Sequence, residues 1–142
     1  MIPNRVLVLD DEELITQLLS NYLMLEGYDV DATNNPLQAI ELVKETKYLA
    51  VITDIYMPEL NGVDFIKQIK EIDGLTQVIV ISGYAKMSDI IRVFRFGASN
   101  IVYKPFENLS VFDEELKQIK KRHELILTAI KNAKRVNPED TE

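Results

Sequence analysis

The sequence predicts an α/β protein: a doubly wound, five-stranded parallel sheet flanked by five helices. Three observations carry that prediction. Four short runs are continuously apolar or β-branched, which implies strands buried on both faces, as in a parallel sheet covered by helices. Stretches with apolar residues at helical spacing alternate with the strands, five times in all. Polar residues able to do chemistry fall at the carboxyl ends of the strands, the edge where open α/β sheets bind ligands.

The four unbroken strand runs are Val6 to Leu9, Leu49 to Thr53, Val78 to Ile81 and Ile101 to Tyr103, and a weaker alternating strand, "YDVDAT", spans Tyr28 to Thr33. In the first helix, within "EELITQLLSNYLMLEG", Leu14, Ile15, Leu18, Leu19 and Tyr22 are expected on the packed face, and Gly27 supplies a left-handed stop. The second, "NNPLQAIELVKET", takes Asn35 as cap and Pro36 in its first turn, with Ala39, Ile40 and Val43 inward. The third, "NGVDFIKQIKEI", turns Phe65, Ile66 and Ile69 inward. The fourth, "SDIIRVFRFG", is expected to be capped by Ser88, packed through Ile90, Ile91 and Phe94, and ended by Gly97. The fifth starts near Ser110 and is expected to run to Arg135, no breaker occurring before Pro138.

Composition sets bounds on function. A chain of 142 residues that is 46% hydrophobic makes one core of ordinary size. There is no cysteine, which excludes disulfides and thiolate metal sites and suits a reducing, cytoplasmic setting. The formal charge of -7 is uneven: the first 116 residues hold 19 acidic against 9 basic side chains, whereas residues 117–135 hold seven Lys and Arg and one acid, Glu124. An acidic globule repels phosphates at long range, so nucleic-acid binding by it is not expected. No apolar run approaches the ~20 residues of a membrane span.

The charge is concentrated in "VLVLDDEE", residues 6–13, where four carboxylates follow one strand. Like charges this close raise one another's pKa and cost stability without a compensating cation. Acids favour the first turn of any helix, which suffices to explain Glu12 and Glu13. Asp10 and Asp11 stand apart because matching strand ends carry Asp54, Ser82 and Lys104. Three aspartates offer hard oxygens to Mg²⁺, and the hydroxyl and the ammonium complete a set suited to phosphoryl transfer.

With "VITDIYMPELNGVDF", "VIVISGYA" and "GASNIVYKPF" beside "VLVLDDEE", the chain resembles the receiver domain of two-component response regulators over roughly residues 4–122. The resemblance implies a flavodoxin-like sheet of order 2-1-3-4-5, with residues 1–122 as the receiver and 123–142 as a helical extension and tail. It implies that Asp54 accepts a phosphoryl group from a sensor histidine kinase or phosphotransfer protein. Asp10, Asp11, Asp54 and the backbone carbonyl of Tyr56 would hold Mg²⁺, while Lys104 neutralises the transferring group and Ser82 bonds it afterwards. Pro105 resembles the family's cis-proline. The family often has an aromatic residue three positions before the lysine; Ile101 stands there and has no polar tip to exchange between solvent and core. Tyr56 and Tyr84 occupy positions where bulk would shield the acyl phosphate.

Three other readings compete: a phosphoaspartate-forming hydrolase, an inactive receiver serving as a dimerisation module, and a receiver fragment of a hybrid histidine kinase. The hydrolase would want an acid where Tyr56 stands. The only histidine, His123, lies in "HEL", which resembles a kinase phosphohistidine helix but lacks its downstream proline. Phe112, Leu116, Ile119, His123, Ile126, Ile130 and Ala133 are spaced as a coiled-coil seam, so the last helix is expected to form a homodimer or to continue into a partner domain.

Overall fold

The computed structural model describes residues 2–133. Its strands are β1 (Arg5–Leu9), β2 (Asp29–Thr33), β3 (Ala50–Asp54), β4 (Gln77–Ser82) and β5 (Ala98–Tyr103). They alternate with the helices α1 (Glu13–Leu25), α2 (Pro36–Glu45), α3 (Gly62–Ile72), α4 (Met87–Arg95) and α5 (Ser110–Ala133). The sheet order is β2-β1-β3-β4-β5, and every neighbouring pair is parallel, as expected.

Unbroken apolar strands are needed because alternate residues supply two cores. Leu7, Leu9, Val51, Val78 and Val80 face α2, α3 and α4, through Ile40, Phe65, Ile69 and Val93 among others. Val6, Val8, Ile52, Ile79 and Ile81 face α1 and α5, through Leu19, Leu23, Phe112 and Leu116. The helix starts follow local chemistry: Asn35 Oδ1 accepts the Leu37 N–H at 2.9 Å, and Asn61 Oδ1 accepts the Val63 N–H at 2.8 Å. Gly27 (φ 97°) and Gly97 (φ 108°) end α1 and α4 in left-handed conformation.

Two helices present different faces from those expected. In α1 the buried stripe is Thr16, Leu19 and Leu23, with Ile15 and Tyr22 partly covered, while Leu14 is 79% and Leu18 45% exposed. Apolar residues occupy so much of this helix's circumference that the pattern cannot say which stripe meets the sheet. In α4 only Val93 is buried; Ile90 is half-buried, and Ile91 and Phe94 are about half exposed. Nor does Ser88 cap α4: Lys86 is the N-cap residue, its carbonyl accepting the Ile90 N–H at 3.0 Å, and Ser88 sits inside the helix. β5 begins three residues before the expected Ile101. The register shift opposite Val78 and Ile79 leaves Ser99 as an extra residue whose hydroxyl bonds the Val78 carbonyl at 3.1 Å.

In α5, Phe112, Leu116, Ile119 and His123 pack on the body of the domain. Ile126 is half-buried and Ile130 exposed, while residues 134 and 135, to which the helix was expected to run, lie outside the described residues. Among the described residues no helix is long and apolar enough to cross a membrane.

Candidate functional site

Parallel strands place all their carboxyl ends on one edge, and the sheet order sets Asp10 (after β1) and Asp54 (ending β3) on adjacent strands. Asp10 is fully buried and Asp54 only 7% exposed. Lys104 follows β5, whose end is pinned to β4 by the Lys104 N–H donating to the Ser82 carbonyl at 2.8 Å. From there its side chain reaches past β4, and Nζ lies 2.7 Å from Asp10 Oδ2, 2.9 Å from Asp54 Oδ2 and 3.7 Å from Glu12 Oε1.

Three carboxylates thus share one ammonium, and the surroundings move both partners' protons. Burial pushes the Asp10 carboxyl above its usual range, against the pull of Lys104 and of the Glu12 N–H that donates to Oδ1 at 2.8 Å. For Lys104 burial works downward, yet its contacts with the charges of Asp10 and Asp54 outweigh it and leave the ammonium above its ordinary value. The Asp10 contact is ionic, not an aligned hydrogen bond: Oδ2 is buried without hydrogen-bond geometry to any donor. Asp54 has both oxygens engaged, Oδ2 by Lys104 and Oδ1 by the Tyr56 N–H at 3.1 Å.

Metal ligation passes a test of donor chemistry. Oxygens of Asp10, Asp11 and Glu12 lie within 4.8 Å of one another, all hard donors, and Asp11 and Glu12 are open to solvent. This acidic cluster is consistent with a metal-binding site. Glu12, set aside from sequence as an ordinary helix-start acid, belongs to the group; the "DDEE" run was the only signal for it. Asp54 and the Tyr56 carbonyl lie outside that trio. A groove of about 490 Å³ opens beside it, lined by Asp11, Ile55, Tyr56, Met57, Pro58 and Asn61.

The loop from Ile55 to Asn61 is held shut at its base. The Gly62 N–H donates to the Ile55 carbonyl at 2.8 Å, and a Cβ at Gly62 would come within 2.5 Å of the Ile55 backbone, so only glycine lets α3 begin here. Ser82 is buried, and its hydroxyl is turned into its own loop, donating to the Tyr84 carbonyl at 2.6 Å while accepting the Tyr84 N–H at 3.2 Å. Tyr84 itself is 69% exposed. Ile101 packs into the α2–α4 core, and the Lys104–Pro105 bond is cis. His123 is buried at the opposite end of the sheet, its Nε2 2.7 Å from the Leu75 carbonyl, so the likeness of "HEL" to a phosphohistidine helix has no exposed ring behind it.

Fold and site define a doubly wound α/β domain with an acidic, lysine-bridged site at its carboxyl edge. The chain belongs to the response regulator receiver domain family, whose sequence pattern matches residues 6–123. It is 38% identical over 105 residues to the chemotaxis protein CheY of Thermotoga maritima, a match covering 72% of this chain and 87% of that protein. It is 33% identical over 104 residues to the regulatory protein AtoC of Escherichia coli, covering 73% of this chain but only 23% of AtoC. Among solved structures, the beryllofluoride-activated NtrC4 receiver domain dimer superposes with a TM-score of 0.78 at 35% identity, covering 84% of this chain and 98% of that one. Proteins of this family are signalling domains that catalyse their own phosphorylation and dephosphorylation, not enzymes acting on a separate substrate.

Proposed function

We propose that this chain accepts a phosphoryl group on Asp54 from a phosphohistidine of a sensor histidine kinase or phosphotransfer protein, in a Mg²⁺-dependent reaction in the cytoplasm. The observation that carries the reading is Lys104, one ammonium held between Asp10 and Asp54. An Asp54 oxygen attacks phosphorus, the P–N bond breaks, the imidazole leaves and an acyl phosphate forms. The Tyr56 N–H holds Asp54 in position for attack. Lys104 gives up Asp54 and follows the charge onto the phosphoryl oxygens. Asp10 and Asp11, with the Tyr56 carbonyl and Asp54, would hold Mg²⁺, and Glu12 stands beside them. The ion supplies charge neutralisation on the transferring group. Ser82 then exchanges its Tyr84 partner for a phosphoryl oxygen, drawing its loop inward.

Two surface features support partners for this chemistry. Leu14 and Leu18 form a bare apolar pair on α1 close to Asp11, where a helix bearing the phosphohistidine can seat. On α5, Ile126, Ile130 and Ala133 prolong the seam past the part that covers the domain, which supports a homodimer through this helix, and the beryllofluoride-activated NtrC4 receiver is itself a dimer. Light scattering of the full chain against one ending at Arg122 tests the dimer; equal monomer masses overturn it. Intact-mass measurement with acetyl phosphate and Mg²⁺ tests the acceptor. The wild type gains one phosphoryl group and Asp54→Asn none, while Asp11→Asn binds Mg²⁺ more weakly and labels more slowly. Equal labelling of Asp54→Asn overturns the assignment.

A further inference from the structure

The Tyr56 side chain does not hang free at the rim. Its hydroxyl donates to Asp89 Oδ2 at 2.5 Å and accepts the Lys86 N–H at 3.2 Å. Lys86 is the N-cap residue of α4, which has no side-chain cap of its own, and Asp89 lies in that helix's first turn. The tyrosine therefore caps a helix from a different loop. Its backbone N–H meanwhile holds Asp54 Oδ1. One residue thus spans from the carboxylate ending β3 to the start of α4, across the gap between the loop after Asp54 and the loop after Ser82. Tyr84, the other aromatic at this rim, makes no side-chain hydrogen bond among the described residues and stands mostly in solvent.

We propose that Asp89 is a positioning residue for the phosphoryl chemistry, latching the Tyr56 ring over the mouth of the site and so lengthening the life of the acyl phosphate. The inference rests on Asp54 being the acceptor. An acyl phosphate is lost when water attacks phosphorus in line with the Asp54 oxygen, breaking the P–O bond to that oxygen and releasing inorganic phosphate. A ring pinned at both ends excludes water better than a hinged one. The same latch ties the site to α4. The segment Gly83–Lys86 runs between the Ser82 hydroxyl at one end and the Lys86 N–H at the other, so drawing Ser82 inward pulls on the amide that Tyr56 holds. With Ile101 unable to act as a polar-tipped aromatic, Tyr56 is the aromatic that connects the site to the next helix.

The test follows the decay of phosphorylated protein in Mg²⁺ buffer for the wild type, Tyr56→Phe, Asp89→Ala, Asp89→Asn and the double variant Tyr56→Phe/Asp89→Ala, with amide exchange at Lys86 in the unphosphorylated proteins. Decay should be about three- to tenfold faster in Tyr56→Phe and Asp89→Ala, the net worth of one hydrogen bond. The double variant should be no faster than either single one. Asp89→Asn, whose amide oxygen can still accept from the phenol, should stay near wild type, and Lys86 exchange should quicken in Tyr56→Phe. Additive effects, or Asp89→Asn decaying as fast as Asp89→Ala, would reduce Asp89 to a helix-start charge and overturn the proposal. Unchanged Lys86 exchange in Tyr56→Phe overturns the latch alone. A wild type that takes no phosphoryl group overturns the acceptor reading, and the lifetime role with it.

Discussion

The two ends of the sheet bury polar groups in opposite ways. At the carboxyl end Asp10, Asp54 and Lys104 are charged and answered by one another, with Asp10 Oδ2 satisfied by charge alone and the Ser82 hydroxyl turned back on its own loop. At the amino end the buried pairs are matched donor to acceptor. His123 meets the Leu75 carbonyl, the Thr76 hydroxyl donates to the Tyr48 carbonyl at 3.2 Å, and the Tyr48 phenol donates to Asp31 at 2.6 Å. A cleft of about 150 Å³ lies there, walled by Ile2, Pro3, Lys47, Tyr48, Asp73, Leu75, His123 and Leu127. Groups satisfied locally contribute stability, whereas groups holding unmatched charge store a demand that a ligand can meet. Stability and chemistry should therefore separate by end.

The largest effect expected is on chemistry at the carboxyl end. Lys104→Ala should slow acetyl phosphate labelling by about a hundredfold, as loss of one electrostatic stabiliser of developing charge does elsewhere. A rate within about threefold of wild type would break the contrast. At the other end, His123→Ala should cost about 2 to 3 kcal/mol in urea unfolding, from the cavity and the lost hydrogen bond, and leave labelling unchanged. Altered labelling at unchanged stability would reverse the division of labour.

Asp10→Asn tests the difference between the two ends through pH. Because the folded protein raises the Asp10 pKa above 3.8, the folded state holds that proton more tightly than the unfolded chain, and ionisation opposes folding. Below pH 3.8 the two proteins should differ least. As pH rises through the raised pKa the wild type loses stability relative to Asp10→Asn, and the difference then levels off. A gap that narrows with rising pH would show the Asp10–Lys104 pair to be net stabilising. The smallest effect is at Leu14. Leu14→Ala should change stability by no more than about 0.5 kcal/mol, since the side chain is exposed, while slowing transfer from a phosphohistidine donor and sparing acetyl phosphate. Equal rates from both donors would remove α1 from the docking surface.

Much of the site was legible before the fold because strand ends are. A run such as "VIVIS" names both the strand and the residue at its end, and parallel topology gathers those ends on one edge. Glu12 was missed because a helix-start acid has an ordinary explanation. The first three residues of β5 were missed because Ser99 and Asn100 break the apolar run around a bulge. The exposed faces of α1 and α4 were missed because an apolar pattern wider than the contact does not say where the contact falls.

The alternation of strands and helices, the two-sided core of the sheet and the presence of acid, hydroxyl and lysine at one edge were all legible in the order of residues. Each follows from period and position along the chain, which are local properties. Packing in three dimensions set Lys104 between Asp10 and Asp54, pinned Tyr56 to Asp89, left Leu14 in solvent and Leu18 about half exposed, and closed the far end of the sheet with His123. The bonds among these are contacts between segments 33 to 94 residues apart. Their geometry is set by how helices cross the sheet and how far a side chain reaches, and no spacing along the chain encodes either.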